Sequence, residues 1–382
     1  FCILTKKYKD KSLLFDYNIN VLGQYMKLPF YFKTMGMRQD FESCRFSFII
    51  KVEVFFMKYP KFLNVNNNTI GVCAMSSGVG HKLDSFDESI EYIKSHGFNV
   101  IETNSVRNDS EPSCDALTRV TELNSLVNDS NVDAIWLAAG GDFQFETLPY
   151  LDFDLIEKNP KWYLGASDPT NLLFPITCKC DLATVYGFNA GSFDEFGINE
   201  YSDLCIEFLK GKNNVLHSSS LHQDVDFYND GAPILNTNTE YVGSCDAEGR
   251  LLGGCFESIN DMSGTPYDFV EEFNERYKLD GIIWFFDIFS MNSCDVYRAL
   301  LKMKYMGYFK YTKAILVGRV LFKNVSDLIG YEQAFKKALP DIDVVLKMDI
   351  GHTYPHMYVV NGAMAKVKVN DGCGSIHYEI KE

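Results

Sequence analysis

The chain has 382 residues, of which 46% are hydrophobic and 23% are charged, and its formal net charge is −15 at pH 7. This composition excludes a disordered chain, and the length predicts two domains that each bury a hydrophobic core. The negative charge repels phosphate backbones and anionic lipid headgroups, which argues against nucleic-acid binding and membrane-surface attachment. No apolar stretch reaches the roughly 18 residues of a membrane span. We therefore expect a cytoplasmic protein whose partner is a small molecule, a cation or another protein.

The cysteines are scattered along the chain and odd in number, 11 in all, which is typical of reduced thiols rather than of a disulfide framework. Cys178 and Cys180 form the only close pair in the sequence. No second pair follows at the spacing of a zinc site, so the sequence predicts no metal.

Residues 1–56 differ from the rest of the sequence. They contain more Lys and Arg than Asp and Glu, whereas the remainder is strongly acidic. Their aromatic residues lack a steady helical or strand spacing, and clear strand and helix signals begin only after Met57. We expect Met57 to be the biological start and residues 1–56 to be an over-extended reading frame. The alternative is an authentic extension that packs on the body of the protein.

Strand and helix signals alternate after Met57. The predicted elements are strands at 69–75, 99–102 and 134–138, and helices at 86–96 and 117–127. This alternation predicts a parallel sheet, in which ligands gather at the carboxyl ends of the strands. Two Gly-containing turns, at 76–80 and 140–142, fall at such ends. Gly140 and Gly141 would let the backbone approach a ligand closely, although an ordinary turn has the same composition.

A further strand at 161–164 runs into Gly165-Ala166-Ser167-Asp168-Pro169 and a helix at 170–174. A serine at such a turn presents its hydroxyl outside the sheet, and the backbone N–H groups at the helix start can stabilise an oxyanion. Pro169 replaces the final glycine of the hydrolase pattern G-x-S-x-G, and Ser-Asp-Pro is also an ordinary helix start. These residues alone allow either a catalytic Ser167 or a helix cap.

The sequence becomes richer in Asn, Ser and Asp after about residue 200. This change predicts a linker at 206–240, with loops or hairpins at 217–220 and 229–231, between an N-terminal domain (57–205) and a C-terminal domain (241–382). The C-terminal domain is predicted to be α/β with mainly β character. Its signals are a glycine-rich segment at 249–254, strands at 281–286 and 314–318, a helix at 294–306 and the terminal segment 348–382.

A serine nucleophile needs a histidine base, and the base needs an acid that fixes its tautomer. His352 lies on a loop punctuated by Gly and Pro, which suits a general base, although a surface histidine is the simpler interpretation. Its competitors are His356, His217 and His222. The candidate acids at strand ends are Asp287 and Glu257.

Taken in order, these segments resemble the serine peptidase family of LD-carboxypeptidases and microcin C self-immunity peptidases. The resemblance runs from Met57 to the C-terminus through Ser76-Ser77-Gly78-Val79-Gly80, Gly140-Gly141-Asp142-Phe143, Gly165-Ala166-Ser167-Asp168-Pro169-Thr170, Tyr186-Gly187-Phe188-Asn189-Ala190-Gly191, Gly253-Gly254-Cys255, Gly318-Arg319 and Asp349-Ile350-Gly351-His352. Residues 1–56 match nothing in the family.

The resemblance implies a cytoplasmic, usually dimeric, two-domain hydrolase that uses no metal or other cofactor. Its N-terminal parallel α/β domain carries the nucleophile on a turn like a nucleophile elbow, and its C-terminal domain carries the acid and the histidine. Carried onto this sequence, the nucleophile is Ser167 and the base is His352. The oxyanion hole falls on the backbone N–H groups of Gly141 and Asp168.

The sequence departs from the family at the acid, where Asp287 stands in place of Glu. An Asp can orient a histidine, but a gap of about 1 Å at a catalytic hydrogen bond costs roughly a hundredfold in rate. The backbone could have adjusted, Asp287 could act through a water, or the protein could be a weak or retired enzyme. Glu257 is a possible substitute, although its position suggests a structural or substrate-side role.

The implied reaction is hydrolysis of an amide in a small peptide-like substrate. In the LD-carboxypeptidase version the substrate is a muropeptide tetrapeptide that loses its terminal D-Ala during cell-wall recycling, and in the immunity version it is an aspartyl conjugate of a nucleotide-like toxin. Arg319 is the candidate contact for the substrate's anionic group. The competing class is a binding protein with impaired catalysis. A nucleotide-binding α/β protein is a weaker alternative, because neither glycine-rich turn matches G-x-G-x-x-G or a P-loop.

Overall fold

The computed structural model of the protein describes residues 56–64, 68–193, 200–223 and 241–380, together with the backbone of short strands at Ser12–Leu13, Val52–Glu53 and Leu235–Asn236. The chain divides into two units, Phe1–Phe56 and Met57–Glu382. In the first unit, Ser12–Leu13 pairs with Val52–Glu53 in antiparallel orientation. The expected character of residues 1–56 and the loop expected at 229–231 otherwise lie outside the described residues.

The second unit contains two large sheets with helices packed on them, and a short antiparallel pair of strands, His222–Gln223 and Leu235–Asn236. The strands of that pair are left unnumbered. The strands of the sheets are, in chain order, β1 (Thr69–Cys73), β2 (Asn99–Glu102), β3 (Val132–Leu137), β4 (Trp162–Gly165), β5 (Thr184–Tyr186), β6 (Val215–His217), β7 (Cys245–Cys255), β8 (Ile282–Asp287), β9 (Thr312–Gly318), β10 (Val344–Met348), β11 (Val359–Asn361), β12 (Met364–Asn370) and β13 (Cys373–Glu379). The α-helices are α1 (Leu83–Ser95), α2 (Ala116–Asn128), α3 (Phe153–Lys158), α4 (Thr170–Cys180), α5 (Tyr201–Leu209), α6 (Phe256–Met262), α7 (Val270–Arg276), α8 (Ser293–Tyr305) and α9 (Tyr331–Ala338). Short 3₁₀ helices cover Gly80–Lys82 and Gln144–Tyr150.

The first sheet has six strands in the order β11-β5-β4-β3-β1-β2. Strands β1 to β5 pair in parallel, and β11, from the C-terminal part of the chain, joins the edge in antiparallel orientation. Apart from the edge strand β2, which is partly exposed, the strands are short, largely apolar runs that are almost wholly buried, as in Trp162–Gly165. Such runs are typical of parallel strands that are covered by helices on both faces.

The second sheet has seven strands in the order β10-β9-β8-β7-β12-β13-β6. Strands β7 to β10 are parallel and connected through helices, whereas β12, β13 and β6 continue the sheet in antiparallel orientation. Buried and exposed residues alternate along β12, so one face of this part of the sheet is solvated.

The predicted α/β class is therefore confirmed, and the long elements agree with the sequence patterns to within a few residues. The strand at 99–102 has the predicted bounds, while the helix expected at 170–174 continues to Cys180. Within the stretch expected to be a linker, 206–240, α5 ends and β6 joins the edge of the second sheet. Neither element was predicted, because both are short and the stretch has a polar composition.

Helix α4 connects the two sheets. Its first residue, Thr170, accepts a hydrogen bond from the backbone N–H of Cys255 at the end of β7, at 2.9 Å. Near its other end, Arg276 of α7 lies 3.0 Å from the carboxylate of Asp181. Because the turn before α4 carries Ser167, these contacts fix that turn against the second sheet.

Candidate active site

A cleft of about 580 Å³ lies where the carboxyl ends of strands from both sheets meet. It is bordered by the turns after β1, β3 and β4, by the start of α6, by the segment after β8 and by the loop after β10. The predicted residues Ser167, His352, Gly141, Asp168 and Glu257 all line it. The fold thus brings together residues that lie up to 211 positions apart in the sequence, from Gly141 to His352.

Ser167 stands at a sharp turn between β4 and α4. Its φ of 68° lies in the left-handed region, which a residue other than glycine adopts at a cost of about 1–3 kcal/mol. Asn189 braces the turn, since it accepts a hydrogen bond from the N–H of Ala166 at 2.9 Å and donates one to the carbonyl of Ala166 at 3.2 Å. A side chain at Gly165 would come within 2.6 Å of Pro169, so this glycine permits the close packing of strand and helix. This geometry is that of a nucleophile elbow.

The side chain of Asp168 ties the serine turn to the neighbouring loops. Its carboxylate accepts hydrogen bonds from the Ser76 hydroxyl at 2.5 Å, the Gln144 N–H at 2.8 Å and the Asn171 amide at 2.7 Å. Burial raises the pKa of Asp168 above its ordinary value, and these hydrogen bonds oppose that rise. Asp168 therefore uses its side chain for structure, which leaves its backbone N–H for the site.

Gly141 has a φ of 136°, and a side chain there would collide with the hydroxyls of Ser76 and Ser77. Only glycine fits this position without displacing the turn after β1. Among the described residues, neither the N–H of Gly141 nor that of Asp168 donates a hydrogen bond within the chain. Both groups are thus available as donors at the edge of the cleft.

His352 and Asp287 form a close pair in the cleft wall. The Nδ1 atom of His352 lies 2.8 Å from Oδ2 of Asp287, whose side chain is 1% exposed. Burial alone would lower the pKa of His352, but the charge of Asp287 outweighs it and raises that pKa above its ordinary value. Burial likewise opposes ionisation of Asp287, and the charge of His352 reverses this, so the pKa of Asp287 is lowered. A carboxylate this close to Nδ1 is the partner that a general-base histidine requires, although Nδ1 has no hydrogen-bond partner of normal geometry among the described residues.

Residues 70–187 match the family profile described as the LD-carboxypeptidase N-terminal domain, and residues 248–367 match the LD-carboxypeptidase C-terminal domain. Together the two matches cover more than half of the chain. The chain belongs to the LD-carboxypeptidase family.

Individual relatives agree with this assignment. A protein of Treponema pallidum (strain Nichols) named "Putative carboxypeptidase" is 30% identical over 266 residues, which are 67% of this chain and 75% of that protein. The microcin C7 self-immunity protein MccF of Escherichia coli is 25% identical over 291 residues, 71% of this chain and 81% of MccF. A solved structure of MccF in complex with glutamyl sulfamoyl guanosine has a TM-score of 0.72 and 22% identity, covering 85% of this chain and 99% of that one. This structural similarity shows that this protein shares the fold of MccF.

In this member of the LD-carboxypeptidase family, Asp287 stands where the family resemblance predicts Glu. Asp287 is the last residue of β8 and pairs in register with Cys255, the last residue of β7. From this strand end, its carboxylate reaches His352 directly at 2.8 Å. The gap expected from a shorter side chain is absent, because the backbone at the strand end lies close to the histidine loop.

Glu257 does not contact His352 through a hydrogen bond. Its carboxylate accepts the backbone N–H groups of Phe289, Ser290 and Met291 at 3.1, 3.0 and 2.9 Å. This arrangement orders the segment after β8, and the ring of Phe289 packs on the imidazole of His352 with 4.7 Å between ring centroids. Glu257 thus shapes the cleft wall, and Asp287 rather than Glu257 is the carboxylate in contact with His352.

Arg319 is not placed as the sequence analysis expected. It is 5% exposed, forms an ion pair with the buried Asp349 and donates to the carbonyl of Lys347 at 2.8 Å. Asp349 also accepts hydrogen bonds from the hydroxyls of Tyr241 and Tyr201, at 2.6 and 3.0 Å, and lies three residues before His352. Arg319 therefore anchors the histidine loop and does not line the cleft. The sequence pattern could not show this, because the tyrosines that complete the cluster lie more than 100 positions from Asp349.

The competing histidines are accounted for in different ways. His356 is buried and packs on Phe188 with 4.6 Å between ring centroids, and burial lowers its pKa to about 4. His217 lies in β6 and His222 in a short strand beyond it. The histidines among the cleft-lining residues are His352 and His81.

Sequence reasoning missed two residues of the site, Tyr186 and Lys82. The Tyr186 hydroxyl accepts a hydrogen bond from the backbone N–H of Ser167 at 3.1 Å and donates one to Asp287. Lys82 lines the cleft beside His81 at the start of α1. Tyr186 lay inside a segment already quoted for the family resemblance, whereas Lys82 carried no pattern that singled it out.

Other reactive groups of the described residues are less suited to chemistry. Cys255 lines the cleft, but burial and the neighbouring carboxylates of Glu257 and Asp287 raise the pKa of its thiol well above the ordinary value, which keeps it protonated. The described residues contain no cluster of His, Cys, Asp and Glu arranged to hold a metal ion. None of the described helices combines the length and the apolar composition needed to cross a membrane.

Proposed function

We propose that this protein is a serine-type amide hydrolase with a Ser167-His352-Asp287 triad and that it acts as an LD-carboxypeptidase on muropeptide tetrapeptides. The observation that carries the proposal is the 2.8 Å contact between His352 and Asp287 in the same cleft that contains Ser167 on its left-handed turn. Nucleophile, base and acid are the minimum set for acyl transfer through a covalent intermediate.

The chemistry follows from these positions. His352 accepts the hydroxyl proton of Ser167 as the oxygen attacks the amide carbonyl, and Asp287 offsets the charge that develops on the imidazole. The backbone N–H groups of Gly141 and Asp168 stabilise the tetrahedral oxyanion. His352 then gives its proton to the leaving amine, and water attacks the acyl-enzyme in the reverse sequence to release the acyl group and restore the Ser167 hydroxyl.

The charges of the cleft support a substrate that carries groups of both signs. The carboxylates of Glu111, Asp142 and Asp261 line it, together with the half-buried Lys82. Lys82 makes no ion pair with an acidic residue in the described part of the chain. We assign to Lys82 the contact with the terminal carboxylate that sequence analysis gave to Arg319, and to the acidic wall an ammonium group of the diamino acid.

A second candidate is hydrolysis of an aminoacyl nucleotide-like toxin conjugate. It is favoured by the match to MccF and by two aromatic side chains, Phe145 and Phe289, that line the cleft and offer faces on which a base could stack. In this version the same triad cuts the amide that joins the aspartyl group to the toxin.

The test is a turnover assay of the full chain on a muropeptide tetrapeptide and on a processed microcin C analogue, with Ser167→Ala as the control. Release of D-Ala that disappears in Ser167→Ala supports the LD-carboxypeptidase assignment, and preferred cleavage of the conjugate supports the second candidate. Stoichiometric binding of either compound without turnover would overturn both and favour the binding-protein class.

Two further properties belong to the same proposal. The enzyme would act in the cytoplasm on recycled cell-wall fragments, and it would work as a homodimer. Fractionation of the source cells tests the first property, and sedimentation equilibrium tests the second.

A further inference from the structure

The hydroxyl of Tyr186 connects the nucleophile turn to the acid of the triad. It accepts a hydrogen bond from the backbone N–H of Ser167 at 3.1 Å and donates its own proton to Oδ2 of Asp287. Tyr186 is 1% exposed and is the last residue of β5, where it pairs in register with Gly165 at the end of β4. One buried oxygen therefore touches both the strained turn in the first sheet and the acid in the second.

The two oxygens of Asp287 are used unequally. Oδ2 faces both the Tyr186 hydroxyl and Nδ1 of His352, whereas Oδ1 has no hydrogen-bond partner among the described residues. A buried carboxylate with so few donors depends strongly on each of them. Without the tyrosine hydroxyl, His352 would be the only polar side chain of the described residues in direct contact with the Asp287 carboxylate.

We propose that Tyr186 is a positioning residue of the triad, whose hydroxyl holds the short side chain of Asp287 in place and moderates its basicity while fixing the backbone of Ser167. This inference rests on the proposed serine hydrolase function and names a further residue on which it depends. Tyr186 does not touch the reacting atoms, so it acts through Asp287 and Ser167.

The direction of its effect on His352 follows from charge. A donor on Oδ2 withdraws electron density from the carboxylate, so that Asp287 holds the imidazolium less tightly. Removing the hydroxyl strengthens the interaction between the carboxylate and protonated His352. The imidazole therefore loses its proton at a higher pH. The other titratable groups facing this pair are Glu257, Cys255 and His356, and the substitution leaves all three in place.

The substitution that tests the proposal is Tyr186→Phe, which keeps the aromatic ring and removes the oxygen. The ring packs on Phe285 with 5.8 Å between centroids, and this contact is retained. Tyr163→Phe is the matched control: Tyr163 lies in the adjacent strand β4, it is fully buried, and its hydroxyl has no hydrogen-bond partner among the described residues. Comparing the two separates loss of this hydroxyl from loss of any buried hydroxyl.

Two readouts are needed. The first is kcat and KM as a function of pH on the substrate that the protein turns over, and the second is the titration of the His352 imidazole by NMR, assigned with His352→Gln. We expect Tyr186→Phe to lower kcat at least about tenfold with little change in KM, the effect of a lost hydrogen bond to a charged group. The His352 titration should move to higher pH, and Tyr163→Phe should change neither quantity.

The outcomes separate this inference from the proposed function. If Tyr186→Phe is folded and leaves both kcat and the His352 titration as in the parent, Tyr186 has no positioning role. Equal effects of the two Tyr→Phe substitutions would also reject the role. If the parent shows no turnover but the titration moves as expected, the hydrolase assignment fails while the coupling between Tyr186 and the acid stands.

Discussion

Oδ2 of Asp287 lies 2.8 Å from Nδ1 of His352, a normal contact for a charged pair, although Asp287 occupies the position where the family resemblance led us to expect Glu. The strand end that carries Asp287 and the loop that carries His352 approach closely enough to make up for the missing methylene. Of the three explanations left open by the sequence, adjustment of the backbone is the one that this geometry favours.

The first prediction concerns pH. His352 must be neutral to accept the Ser167 proton, and Asp287 raises the pKa of His352 above its ordinary value of about 6.5. We therefore expect kcat to fall as pH drops through a midpoint above about 6.5. Asp287→Asn should move this midpoint down and lower kcat roughly a thousandfold or more, because the imidazole loses its orientation. A pH–rate profile that is unchanged in Asp287→Asn would contradict the pairing.

The same pair has a consequence for stability. Since the pKa of His352 is raised on folding, its contribution is present when the imidazole is protonated and is lost as pH rises through the raised pKa. The lowered pKa of Asp287 makes the contribution of Asp287 disappear as pH falls through that value. The difference in Tm between the parent and Asp287→Asn should thus be largest between these two limits.

The second prediction is that Asp287→Glu impairs this protein. A side chain at Gly351 would collide with the Asp287 carboxylate, which shows how little space surrounds it. An extra methylene in such a packed site costs about 1–3 kcal/mol. We expect a lower Tm and a lower kcat in Asp287→Glu, measured by thermal unfolding and by the turnover assay. A gain in activity would show that the natural Asp limits catalysis.

The third prediction concerns Arg319. Removing one partner of a buried ion pair leaves an uncompensated charge and costs about 3–5 kcal/mol. Arg319→Met should therefore lower the free energy of unfolding by about this amount and reduce kcat through the His352 loop, with little change in KM. Arg298→Met is the control: it breaks the exposed pair of Arg298 with Asp295, which contributes at most about 1 kcal/mol. A large rise in KM without a change in stability or kcat would show instead that Arg319 contacts the substrate.

The fourth prediction concerns Lys82. If it binds the terminal carboxylate of the substrate, Lys82→Met should raise KM about tenfold or more and leave kcat within a few-fold of the parent. Lys82→Arg should restore most of the loss, because it keeps the charge. Lys336→Met, at an exposed helix position away from the cleft, is the matched control for removing a surface lysine. An unchanged KM in Lys82→Met would place the carboxylate elsewhere.

Much of the fold was predictable because its signals are local. Apolar runs such as 132–137 and glycine-rich turns after them identify parallel strands and their carboxyl ends without knowledge of tertiary contacts. Elements with weak local signals were not predicted. Strand β6 has only three residues, and α5 lies where the sequence begins to become more polar. The edge strand β11 could not have been assigned to the first sheet, because it comes from the far end of the chain.

By itself, the sequence determined the α/β class, the turn that carries Ser167 and the family to which the segments belong, since each depends on neighbouring residues or on the order of short motifs. Only the tertiary structure decided how side chains from distant segments are used. It showed that Asp287 reaches His352, that Arg319 serves Asp349 rather than the cleft, and that Tyr186 touches both Ser167 and Asp287. These roles depend on distances of a few ångströms between residues more than 15 positions apart, and such distances are set by packing, which no local pattern records.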